Sequence, residues 1–365
     1  MRADTIDDYR RLFLEDVPLL DTRAPAEFSH GAFPGASSLP LMSDDERARV
    51  GTCYKQHGQA AALELGHTLV QGSVKAERVA AWLAFTRAHP EGCLYCFRGG
   101  LRSQIVQQWL REAGTHYPRV AGGYKAMRQF LLAELARCTA EGRFVLVSGR
   151  TGSGKTRVIQ AIARSVDLEG LANHRGSTFG ALLSPQPSQI DFENRVAIAL
   201  MKCLAADDAP IFLEDEGRLI GRLALPQCLR ERMQDAPLLE LVVPFEERVD
   251  VILEDYILGL GRLFRERHGD PALRRHRERL QADLARTRKR LGGERYQRVS
   301  ALMDAAFDAQ DATGETTRHR EWIGLLLRDY YDPMYDYQMR QRLGQRLTAG
   351  DRQAIIAAAS GELRL

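Results

Sequence analysis

Apolar positions along the chain fall into short buried-type runs, each followed by a polar turn and then a stretch with helical spacing. Residues 92–95 read as such a strand, and beyond a glycine-rich turn Ile105, Val106, Trp109 and Leu110 recur at the spacing of one helix face. Val79, Trp82, Leu83 and Phe85 mark an amphipathic helix over residues 72–89, and Ser43 followed by Asp44, Asp45 and Glu46 has the chemistry of a helix start. A further helix is predicted over residues 125–139. The polar stretch 141–143 then marks a boundary, because residues 144–148 restart a continuous apolar run of the kind buried on both faces of a parallel sheet. Residues 238–244 read as another strand, and a long helix is predicted from Glu246 through Leu260. Strands alternating with helices predict an α/β protein with parallel sheets. The expected organisation is three segments: 1–140, 141–260, and a helical, basic extension over 261–365, either part of the second domain or a separate nucleic-acid-binding piece.

Composition narrows the class. The 365 residues are 44% hydrophobic and 27% charged, values of a globular protein. No apolar run approaches the ~18 residues that span a bilayer, and residues 1–9 lack a signal-peptide core, so no membrane partner and a cytoplasmic location are expected. Six irregularly spaced cysteines make no disulfide framework. Cys93 and Cys96 form a lone C-x-x-C with no second Cys/His pair at zinc spacing, so no structural metal is expected. Cys93 is either a buried strand residue or a resolving thiol.

Two stretches carry chemistry. The first is Cys96 with Arg98, Gly99, Gly100, Arg102 and Ser103, at a strand-to-helix junction. Backbone N–H groups, a helix N-terminus and two arginines all favour a thiolate there, and the same cradle suits a tetrahedral anion. The second is GRTGSGKT at residues 149–156, a complete phosphate-binding loop between a strand and a helix bearing Val158, Ile159 and Ile162. Gly149, Gly152, Ser153, Gly154, Lys155 and Thr156 are candidates to hold a diphosphate or triphosphate, with the Thr156 hydroxyl on Mg²⁺. A second metal ligand is sought at the strand end 210–216, where Glu214 and Asp215 are the candidates, unless that acidic turn has no metal role.

Net charge is +3, but residues 262–298 hold 13 Lys/Arg against 5 Asp/Glu. Arg274, Arg275, Arg277, Arg286, Arg288, Lys289 and Arg290 in this block are candidates for RNA phosphates, or else a solvated charged face. The loops 174–180 and 184–189 are candidates for a second substrate's surface. Tyr330, Tyr331, Tyr335 and Tyr337 are mainly core rings, with one or two left for base stacking. Lys55, His57 and His67, in the segment 50–70, are solvated helix-face residues or substrate contacts.

Residues 17–28 (VPLLDTRAPAEF), GAFPGA at 31–36 and RVAGGY at 119–124 resemble the opening and closing signatures of rhodanese-type sulfurtransferase domains, with Cys96 at the nucleophile's place. The loop from Cys96 to Arg102 is C-x5-R, one residue longer than the C-x4-R common in sulfur-carrying rhodaneses, which suits a larger anion such as phosphate or a selenium-containing group. Followed by the phosphate-binding loop, HRGSTFG at 174–180 and the basic helices, the whole resembles the bacterial tRNA 2-selenouridine synthase family. That resemblance implies a rhodanese-like α/β domain followed by a P-loop NTPase-like parallel-sheet domain. It also implies a transferase that replaces sulfur by selenium at C2 of the wobble 2-thiouridine in the anticodon region of tRNA. The route implied is an S-geranylated intermediate made from geranyl diphosphate, with selenophosphate as selenium donor. Rival readings are a C-x5-R phosphatase or thiosulfate sulfurtransferase regulated by a nucleotide-binding domain, and a non-catalytic tRNA-binding sulfur carrier.

Overall fold

Residues 4–361 are described, in a computed structural model whose apolar runs form two parallel five-stranded sheets. Contacts divide the chain into Met1–Cys138 with Ser188–Lys202, and Thr139–Pro187 with Cys203–Leu365. A linear reading of the sequence does not capture this discontinuity. The cause is local: within helix Gln189–Ala206, Asp191 accepts from Ala32 N at 2.6 Å, Asn194 donates to Ala32 O at 2.8 Å, and Arg128 pairs with Glu193.

In the first unit, strands β1 (Thr5–Ile6), β2 (Leu19–Asp21), β3 (Ser37–Ser38), β4 (Cys93–Tyr95) and β5 (Arg119–Val120) pair in the order β1-β5-β4-β2-β3. Every residue of β2 and β4 is buried, because helices cover the sheet. Trp82 of helix Gly72–Ala88 stacks on Trp109 of helix Leu101–Glu112, with ring centroids 6.1 Å apart over Leu94, Val106 and Leu110. The end of β2 carries a buried ion pair. Arg23 donates to Asp21 through Nε at 2.9 Å and Nη2 at 2.7 Å, Tyr95 OH donates to Asp21 Oδ2 at 2.7 Å, and the guanidinium lies 3.8 Å from the Tyr124 ring centre.

The second sheet contains β6 (Phe144–Gly149), β7 (Ser165–Val166), β8 (Ile211–Glu214), β11 (Leu238–Leu241) and β12 (Arg346–Gly350), in the order β12-β11-β6-β8-β7. A short hairpin, β9 (Leu219–Ile220) with β10 (Leu223–Ala224), stands apart. All six residues of β6 are buried, as its unbroken apolar run requires. The edge strand β12 was not legible from the sequence, because RLTAG carries no apolar alternation.

The helical region also departs from expectation. Helix Phe245–Ile252 passes through a π-helical stretch, Leu253–Gly259, and continues as Leu260–His268 rather than stopping at Leu260. Helices Ala272–Leu291, Gly293–Thr313 and His319–Leu326 share one core with it through Leu260, Leu284, Met303, Phe307 and Trp322. Tyr330 and Tyr331 are buried in that core, Tyr335 bonds Ser148 Oγ at 3.0 Å, and Tyr337 is exposed. Among the described residues no helix is long and apolar enough to cross a membrane.

Candidate active-site loops

The first loop leaves β4 at Cys96 and enters helix Leu101–Glu112. Cys96 is 3% exposed, but its surroundings are polar: Sγ lies 3.2 Å from Ser103 Oγ and 3.9 Å from Gly100 O. The RVAGGY signature explains itself here. Tyr124 N donates to Cys96 O and Lys125 N to Phe97 O, both at 2.9 Å, while Arg119 Nη1 donates to Gly99 O at 2.9 Å. A Cβ on Gly123 would stand 2.2 Å from Cys96 O, so only glycine lets the two backbones meet.

Arg102 turns its fork onto Glu27, at 2.6 and 3.2 Å, and Arg47 Nε reaches the same carboxylate at 3.0 Å. Burial pushes the Glu27 carboxyl up, but the hydrogen bond and charge of Arg102 outweigh it and hold the group below its ordinary value. Two cations therefore share one anion beside the loop. Arg98 is exposed and lies against the Phe97 ring. Cys93 is fully buried, and loss of solvent raises its thiol to about 12, which leaves no ready resolving thiolate.

The second loop follows β6 and opens helix Lys155–Ala161. Lys155 Nζ donates to Gly149 O at 3.0 Å, Thr156 Oγ1 donates to Glu169 Oε2 at 2.7 Å, and Arg352 Nε donates to Ser153 O at 3.2 Å. Gly152 and Gly154 both take positive φ, and Ser153 Oγ is buried without a partner. The two acidic candidates diverge. Asp215 is ion-paired with Arg342, whereas Glu214 is wholly buried, accepts from Glu169 N at 3.0 Å and leaves Oε1 unpartnered.

Sequence reasoning missed Glu169 and Glu216, which complete a carboxylate group beside Thr156. Their only signal was the DLEGL stretch at 167–171 and the third acid of EDE at 214–216. A Cβ on Gly176, in the loop 174–180, would lie 2.1 Å from Glu169 Oε1 and 3.1 Å from Glu216 Oε1, so this loop closes directly on the carboxylates. Burial and then the neighbouring Glu169 charge push Glu216 up to about 8. Burial likewise raises Glu169 and raises Glu214 strongly. Each folded-state carboxyl therefore keeps its proton above the range where the unfolded chain loses it, so stability is present below the ordinary value of 4.5 and is lost as pH rises toward about 8. The expected result is a falling unfolding midpoint of the free protein across that window, followed by thermal scans at stepped pH. Glu216→Gln should flatten the fall, and an unchanged slope would remove Glu216 as its source.

The basic helix is less free than its composition suggests. Arg277 is held by Asp304 at 2.8 Å and Asp308 at 2.6 Å, Arg275 bonds His268 at 2.9 Å, and Arg286 lies 3.0 Å from the buried Asp283. The low density of acids along this helix hid the acids supplied by the next one. Arg274, Arg288, Lys289 and Arg290 are exposed, Arg288 over the Tyr296 ring.

A family model described as the tRNA 2-selenouridine synthase AAA domain matches residues 142–364. A tRNA 2-selenouridine synthase of Azotobacter vinelandii is 57% identical over 359 residues, covering 98% of this chain and 97% of the relative. The chain belongs to the tRNA 2-selenouridine synthase family. Relatives of the same name in Pseudomonas fluorescens (strain Pf0-1) and Marinobacter nauticus are 55% and 54% identical, covering 96% and 97% of this chain and 96% of each relative. In this member of the tRNA 2-selenouridine synthases, the matched length takes in nearly the whole chain, so it spans both glycine-rich loops and the carboxylates beside the second.

Proposed function

We propose that this enzyme replaces sulfur by selenium at C2 of a wobble 2-thiouridine in tRNA, through an S-geranylated intermediate, using geranyl diphosphate and selenophosphate. The observation that supports the reading is one chain holding a cysteine sulfur against Ser103 in a glycine-rich strand-to-helix loop and, in another loop, a complete GxxxxGKT sequence between a strand and a helix. A thiocarbonyl sulfur leaves poorly. Once it attacks the prenyl carbon and diphosphate departs, it has become a thioether, and a selenium nucleophile adding at C2 can expel it as a thiolate.

In this reading Cys96 attacks or carries the selenium donor, and Arg102, Arg98 and the loop N–H groups from Gly99 to Ser103 stabilise its anionic oxygens. Lys155 and the N–H groups of residues 152–156 hold the diphosphate and stabilise its departure. Among the described residues no three His, Cys, Asp or Glu side chains form a ready-made metal cage. The buried Glu214 with an unpartnered oxygen, and Glu169 bonded to Thr156, nevertheless fit Mg²⁺, which binds through one or two carboxylates and keeps places for water and phosphate oxygens. Thr156, Glu169 and Glu214 would hold it; Asp215, engaged by Arg342, would not. The ion would supply charge neutralisation on the leaving diphosphate. Exposed Arg274, Arg288, Lys289 and Arg290, with Arg286, are proposed phosphate contacts for tRNA, and Arg275 and Arg277 contribute through their remaining donors.

Mass analysis of tRNA nucleosides after incubation with geranyl diphosphate and then selenophosphate tests the reading. The expected sequence is S-geranyl-2-thiouridine followed by 2-selenouridine, and turnover of thiosulfate or an aryl phosphate without tRNA would replace it. Lys155→Ala should slow geranyl transfer by about 10²–10³-fold while leaving selenation of pre-geranylated tRNA intact. Unchanged geranyl transfer would remove the loop from that step.

A further inference from the structure

Helix Asp44–Leu69 is bent at Gly58, where φ is +81° and ψ −174°, and its two arms form with helix Leu101–Glu112 a cleft of about 620 Å³. That volume lies within the about 300–1,000 Å³ typical of small-molecule sites. Val50, Ala62, Leu63, Ile105 and Trp109 give it apolar walls. Tyr54 and Leu101, also in its lining, are left 58% and 44% exposed. Large apolar side chains left open in a concave surface mark a binding site. The charged lining residues are all cations, Arg47, Lys55 and Arg102; Arg47 and Arg102 share Glu27, which leaves Lys55 as the exposed charge at the rim outside that group. The cleft also adjoins the sulfur, since Arg102 lines it and the next residue, Ser103, touches Cys96 Sγ at 3.2 Å.

An apolar chamber with a cationic edge beside a nucleophile suits a hydrocarbon chain carried on an anionic polymer. We propose that this cleft holds the prenyl chain of the S-alkylated uridine while selenium replaces sulfur, an inference that rests on the function proposed above. Seating the chain there keeps the hydrocarbon leaving group out of water and fixes C2 near the Cys96 loop, with the exposed Lys55 left for the polymer's phosphates. Free geranyl diphosphate presents the same chain, so the test separates the two.

The test uses the full-length protein, selenophosphate, and tRNA bearing S-geranyl- or S-methyl-2-thiouridine at the wobble position. Ala62→Phe fills the cleft from a buried wall and Thr52→Trp from an exposed rim position, so the second variant keeps the fold even where the first does not. Both should slow selenation of the S-geranyl substrate by about tenfold or more while the S-methyl substrate stays within about twofold. Geranyl transfer from geranyl diphosphate should be unaffected. Equal slowing of both thioethers, or slowing of geranyl transfer alone, overturns the proposal. If the wild type selenates neither substrate, the proposed function has failed on its own account, and calorimetric titration with S-geranyl-2-thiouridine nucleoside decides the cleft. Binding weakened about tenfold by Thr52→Trp supports it; absent or unchanged binding overturns it.

Discussion

Cys96→Ser is expected to lower selenium incorporation at least about 10³-fold while tRNA binding and S-geranylation persist, because losing a nucleophile removes a whole chemical step rather than one contact. The substitution is nearly isosteric, and the new hydroxyl can bond Ser103 Oγ, which now lies 3.2 Å from the sulfur, so the loop should keep its shape. What changes is nucleophilicity: a serine hydroxyl is a far weaker nucleophile than a cysteine sulfur. Mass analysis of nucleosides from pre-geranylated tRNA gives the readout. Full selenation would take Cys96 out of the mechanism, and loss of geranyl transfer as well would mean that its loop serves both steps.

Arg23→Ala should destabilise the first unit by about 3–5 kcal/mol, since it leaves Asp21 as an uncompensated charge in the interior. Asp21 is 0% exposed, and without Arg23 the side-chain partner it keeps among the described residues is the Tyr95 hydroxyl at 2.7 Å. Gly31 O also loses its donor, at 2.8 Å, and the Tyr124 ring loses its cation. The unfolding midpoint of that unit should drop by roughly 10 °C. Calorimetry checks this, and a shift below about 2 °C would mean that the pair is replaceable by water. Asp21→Asn combined with Arg23→Met should recover part of the loss, because an absent pair costs less than half of one.

The contrast between these two sites shows what the amino-acid string discloses. The phosphate-binding loop was legible because strand, glycines, Lys155 and helix are contiguous, so local chemistry suffices. The Cys96 loop was legible for the same reason. Glu214 was read as a candidate, but its companions Glu169 and Glu216 were not, because Glu169 stands 45 positions before Glu214 and joins the EDE stretch beside Thr156 only once β6, β7 and β8 pair. Asp215 and Glu214 look alike in a row of acids, and only Arg342, more than a hundred positions away, separates them. Arg277 misled for the opposite reason: its acids, Asp304 and Asp308, lie on the next helix. Helix Gln189–Ala206 shows a third limit, since its Asn194 and Asp191 anchor to Ala32, a partner that no periodicity names.

The strand at residues 346–350 and Arg352 just after it have a bearing on synthesis. β12 caps the open side of β11, and Arg352 ties down Ser153 O in a loop made some two hundred positions earlier. A ribosome that has delivered the glycine-rich turn has thus not yet delivered what fastens it. A nascent chain therefore carries an untethered turn and a bare sheet margin until those late residues emerge, and an unpaired strand edge is a template for pairing with another chain.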